Sequence, residues 1–100
     1  MREVLEKDFD KFISGKNCLV KFGATWCMPC KAVKSVLKKV ESITGVDVFL
    51  IDIEDFPKAT LDYNIRNLPT VVAFKNGKAV NEVVGKKEIL AYANLAKEIK

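Results

Sequence analysis

Histidine is absent from this 100-residue sequence, and cysteine occurs only three times. A protein zinc site normally takes four ligands. Covalent haem attachment needs a histidine after the second cysteine of a Cys-x-x-Cys pair, where this chain has Lys31. No resident metal or haem is therefore expected. Long apolar runs are missing too: no uncharged stretch approaches the roughly 20 residues of a membrane-spanning helix. Met1 to Phe9 carries Arg2, Glu3, Glu6, Lys7 and Asp8, which leaves no signal-peptide core. The expectation is a soluble, cytoplasmic protein. Three thiols in a reducing compartment argue against a structural disulfide framework and for a reactive pair plus one buried thiol. Internal repeats, linkers and low-complexity tracts are lacking as well, and 100 residues with 49% hydrophobic content suit a single domain, 1–100.

The charged residues comprise 17 Lys+Arg against 13 Asp+Glu, a net +4. Lys31, Lys34, Lys38 and Lys39 fall on the polar side of a patterned helix and read as a solvated face. No aromatic or glycine-rich recognition features accompany them, so no nucleic-acid partner is expected.

Alternation and capping signals divide the chain. Val4-Leu5 reads as a brief edge strand, and Asp8 as the N-cap of a short helix ending near Ser14-Gly15. Cys18 to Phe22 is a central strand closed by Gly23. Val33, Val36, Leu37, Val40 and Ile43 recur at helical spacing from Met28 onward, with Gly45 as the C′ residue. Val46 to Ile53 reads as a buried parallel strand, and Pro57 opens a short helix reaching about Tyr63. Thr70–Phe74 and Ala79–Val84 form a hairpin around Asn76-Gly77. Ile89, Leu90, Tyr92, Ala93, Ala96 and Ile99 mark a C-terminal amphipathic helix. This order predicts an α/β fold, a mixed β-sheet flanked by helices on both faces.

Between the central strand and the long helix lies Trp26-Cys27-Met28-Pro29-Cys30-Lys31. A cysteine at a helix N-terminus lies beside free N–H groups at the positive end of the dipole, which stabilises a thiolate against an ordinary pKa of about 8.5. Cys27 is thus the candidate nucleophile. Cys30, one turn later on the same side, can attack once Cys27 is bonded to a substrate sulfur. Pro29 in the first turn costs no hydrogen bond. Two buried thiols packing as small hydrophobes would be the bland alternative, against which Trp26 and Pro29 argue. Cys18, in phase with Val20 and Phe22, is expected to be a structural thiol.

Over nearly its whole length the chain resembles the thioredoxin family. The resemblance rests on Phe22 to Lys31, on Tyr63-Asn64-Ile65-Arg66-Asn67-Leu68-Pro69-Thr70, on Phe74-Lys75-Asn76-Gly77 and on Val84-Gly85. It implies the thioredoxin fold and dithiol–disulfide exchange with disulfide-containing proteins. It also implies a monomer without a bound cofactor, re-reduced by a flavoprotein thioredoxin reductase that draws on NADPH. Carried over by position, Trp26 buttresses the active-site loop, with Met28 and Pro29 beside it. Leu68-Pro69 is a cis peptide facing the cysteines, and Ile53, Asn67, Val84 and Gly85 line the rest of a substrate-docking surface. A rival of another class is a docking or accessory subunit of this fold whose cysteines are dispensable.

The chain also departs from the family pattern. Met28 stands where glycine is usual, Gly23 where a second tryptophan is common, and Ser35 where a proline usually kinks the helix. Lys21 stands where the family has a buried acid, and Leu50 replaces that acid's lysine partner. Lys21 is therefore a candidate catalytic residue beneath Cys30, with Asp52 as its expected counter-ion. The alternative is that Lys21 snorkels to the sheet edge.

Overall fold

A computed structural model describes all residues, 1–100. Five strands and four helices follow in the order β1 Arg2–Glu3, α1 Phe9–Ile13, β2 Cys18–Gly23, α2 Met28–Thr44, β3 Val48–Asp52, α3 Pro57–Asp62, β4 Thr70–Lys75, β5 Lys78–Val84 and α4 Ile89–Lys97. The sheet order is β1-β3-β2-β4-β5, with β1, β3 and β2 parallel, β4 antiparallel to β2, and β5 antiparallel to β4. The mixed sheet expected from the element order is therefore present.

Alternation along β2 sends successive side chains into two separate cores. Cys18, Val20 and Phe22 pack with Phe9, Phe56 and Ala59 beneath α1 and α3. Leu19 packs with Val33, Leu37 and Val40 of α2 and with Tyr92, Leu95 and Ala96 of α4. Lys21 and Gly23, in phase with Leu19, are directed toward the α2 layer. That phase decides what lies beneath the cysteine motif.

Local signals account for the element ends. The Asp8 carboxylate accepts the Lys11 N–H at 3.2 Å, capping α1. Gly45 takes φ 75° at the end of α2, and Asn76 and Gly77 take φ 52° and 80° in the hairpin turn, the two positive values a type I′ turn requires. Several expectations are corrected. The edge strand is Arg2–Glu3; only the Val4 N–H continues its ladder, to Leu50 O, and Leu5 is 86% exposed. β3 is shorter at both ends than 46–53. Ile43 is exposed, and Thr44 takes the buried position because its hydroxyl donates to Val40 O at 2.7 Å and so brings no unpaired polar atom into the core. On α4, Leu90 faces solvent and Leu95 is buried.

Candidate active site

The N-terminus of α2 is built around Cys27. Its backbone is extended, and its sulfur accepts the Cys30 N–H at 3.2 Å, so the cysteine is itself the helix cap. Pro29 sits in the first turn. The two sulfurs are joined in a disulfide, with Cα atoms 5.3 Å apart. After reduction, the same N–H and the helix end favour a Cys27 thiolate, the helix end alone by ~0.3–1 kcal/mol. Cys27 is only 6% exposed and Cys30 1%. Cys27 is thus reached from the groove that it borders.

That groove, of about 570 Å³, runs between Trp26, Cys27, Met28 and Pro29 on one side and Ile53, Ile65, Arg66, Asn67 and Leu68 on the other. Trp26 and Met28 are 65% and 70% exposed and place large apolar surface at its edge. The Trp26 indole N–H donates to Glu54 Oε1 at 3.1 Å, fixing the ring at the rim. The Leu68-Pro69 peptide is cis. Pro69, Val84 and Gly85 do not line the groove. Val84, 39% exposed, pairs with Thr70, and the Gly85 N–H donates to Pro69 O at 2.7 Å. Ile65, Arg66 and Glu54 are groove or rim residues absent from the sequence-based expectations. Ile65 and Arg66 stand directly before Asn67-Leu68-Pro69, which was the available signal.

Behind the cysteine pair lies a second, smaller cavity of about 200 Å³, and Cys30 borders this one rather than the groove. Its walls carry Lys21 and Gly23 of β2, Lys31 and Lys34 of α2, Leu50 and Asp52 of β3, and Glu3 of β1. Lys21 is buried, and its Nζ donates to Cys30 O at 3.2 Å. It does not snorkel to the sheet edge. Burial pushes its pKa below the ordinary 10.5, and the nearby charge of Lys34 adds to that. The expected Asp52 counter-ion is also corrected. No ion pair joins the two, and Asp52 Oδ1 instead accepts the Glu54 N–H at 2.8 Å, capping the turn after β3. Cys18 lies across the sheet, in the layer of α1 and α3, so the three sulfurs do not converge. Burial raises its pKa to about 12.

No helix is long and apolar enough to cross a membrane. The Thioredoxin family model matches residues 1–99. The chain is 35% identical to a thioredoxin of Chlamydia caviae, over 88% of this chain and 87% of that protein. It is 37% identical to a thioredoxin of Staphylococcus aureus, over 83% and 82%. Among solved structures, reduced Schistosoma mansoni thioredoxin preprotein superposes with a TM-score of 0.87 at 28% identity, over 99% of this chain and 97% of that one. Sequence, fold and a vicinal cysteine pair capping its own helix thus agree, and the chain belongs to the thioredoxin family, as a thiol–disulfide oxidoreductase that reduces protein disulfides through Cys27 and Cys30.

Proposed function

We propose that Cys27 is the attacking and Cys30 the resolving thiol, and that the groove beside Cys27 receives an extended segment of the substrate protein. The single observation that carries this reading is the division of the two sulfurs between two cavities. Cys27 borders the apolar groove, while Cys30 borders the smaller cavity behind it. The Cys27 thiolate attacks one sulfur of the substrate disulfide, a mixed disulfide forms, and the other substrate sulfur leaves as a thiolate. Cys30 then loses its proton and attacks Cys27 Sγ. The Cys27–Cys30 bond forms, the mixed disulfide breaks, and two electrons have passed to the substrate.

Trp26, Met28, Pro29, Ile53, Asn67 and Leu68 supply the contact surface. Pro69, Val84 and Gly85 hold the facing backbone in place. The electrons reside on the two sulfurs, so the cycle itself calls for no bound cofactor. A flavoprotein reductase drawing on NADPH returns the disulfide to the dithiol, and the protein works as a cytoplasmic monomer. The roles are tested by replacing each thiol alone. Cys30→Ser should accumulate mixed disulfides at Cys27, visible by mass spectrometry and released by a reducing agent, whereas Cys27→Ser should not. Equal trapping by both variants would show that the roles are not divided in this way.

A further inference from the structure

Lys21 is the only buried charged side chain in the protein. An ammonium taken out of water is costly unless an anion accompanies it. In the disulfide state none does. Lys21 Nζ has one partner, the neutral carbonyl of Cys30, and makes no ion pair. The charged groups facing it across the cavity are Lys31 and Lys34 from α2, Asp52 from β3 and Glu3 from β1. Two are cations, and neither carboxylate reaches it.

What does lie close is the resolving sulfur. A Cβ built on Gly23 would stand 3.3 Å from Cys30 Sγ and equally 3.3 Å from Lys21 Nζ. Amine and sulfur therefore both border the space that the missing side chain at Gly23 leaves open. That space belongs to a cavity roomy and polar enough for water to bridge the two.

We propose that Lys21 is the buried base and counter-charge of the resolving thiol, taking the Cys30 proton and remaining beside the thiolate as an ammonium. In the mixed-disulfide state the Cys30 S–H bond breaks and its proton goes to the Lys21 amine. The sulfur electron pair attacks Cys27 Sγ, and the substrate leaves as a thiolate. The Lys21 proton then returns to solvent or to that thiolate. Desolvation favours the neutral amine that this step needs, in agreement with the direction of the Lys21 pKa. The Lys21 amine, which has no anion beside it in the disulfide, thus gains its charge and an anion together when Cys30 ionises.

This rests on Cys30 being the resolving thiol, so the test reads Cys30 ionisation separately from turnover. In a Cys27→Ser background, ultraviolet thiolate absorbance follows Cys30 alone, because Cys18 titrates only near 12. Between the dielectric limits of water and a protein interior, an ammonium at this range is worth on the order of tenfold in ionisation. Lys21→Met should therefore raise the Cys30 midpoint by about one pH unit. Gly23→Ala keeps the lysine but fills the space at Gly23 with a methyl pressed against both amine and sulfur, and should move the midpoint the same way. With both cysteines present, release of a coloured aromatic thiolate from its mixed disulfide with Cys27 gives the resolution rate. At pH 7 a tenfold smaller thiolate fraction, offset by the greater nucleophilicity of a more basic thiolate, leaves Lys21→Met about threefold slower. Its pH profile should shift upward with the midpoint. An unchanged midpoint in Lys21→Met overturns the proposal. If that variant does not fold, an unchanged midpoint in Gly23→Ala overturns it.

Discussion

Replacing Tyr92 by phenylalanine would test how far the platform opposite the cysteines depends on the C-terminal helix. The ring is fully buried, and its hydroxyl donates to Gly85 O at 2.8 Å while accepting the Lys87 N–H at 3.0 Å. Burial pushes its phenol above the ordinary 10.0, so it remains a donor at any working pH. Gly85 in turn donates to Pro69 O at 2.7 Å. The hydroxyl therefore anchors the backbone behind the cis Leu68-Pro69 peptide. Phenylalanine keeps the ring and opens no cavity, so the cost is that of two hydrogen bonds, about 1–2 kcal/mol once the exposed Lys87 N–H recovers water. For a domain of this size that lowers Tm by about 5–12 °C. The assay is thermal unfolding of the disulfide form, paired with steady-state kinetics on a protein disulfide. KM should rise about two- to threefold with kcat nearly unchanged, since a looser platform weakens binding but leaves the sulfurs untouched. An unaltered Tm would refute the energetic reasoning. A lowered Tm with an unaltered KM would refute the link from α4 to the groove.

Two further expectations follow from buried titrating groups. Cys18, with its pKa raised to about 12, should resist alkylation at pH 8 until the protein unfolds, and Cys18→Ala should retain turnover; rapid labelling of the folded disulfide form would contradict this. Lys21 has a folded-state pKa below its unfolded value of about 10.5, so between those two values the unfolded chain binds more protons and stability rises with pH, by up to ~1.4 kcal/mol per pH unit. Denaturant unfolding of the disulfide form should show wild type gaining on Lys21→Met as the pH climbs toward 10.5, and parallel stability curves would contradict it.

The motif-bearing parts of the fold are legible in the sequence because their determinants are local. Asp8 and Gly45 end helices by chemistry contained within a few residues, and Asn76-Gly77 supplies the two positive φ values of its turn. The two-residue period of β2 is enough to place Cys18 and Lys21 on opposite faces of the sheet. What escapes a reading of the sequence depends on distant partners. Arg2–Glu3 forms a strand only because β3 offers it an edge, and neither residue carries an apolar signal. Asp52 shares the cavity with Lys21 but spends its carboxylate on a turn N–H two residues away. Glu54 reaches the rim only through the indole of Trp26, 28 residues earlier in the chain.

The claim that electrons pass through the vicinal pair is tested most directly by one stoichiometric reaction. The reduced protein is mixed with an equal amount of a protein carrying a single accessible disulfide, quenched with an alkylating agent, and both partners are mapped by mass spectrometry. Cys27 and Cys30 should be recovered as a disulfide in proportion to substrate thiols formed, with Cys18 still free, and Cys27→Ser should yield neither product. Substrate thiols appearing while Cys27 and Cys30 remain alkylated, or at an undiminished rate in Cys27→Ser, would contradict the assignment.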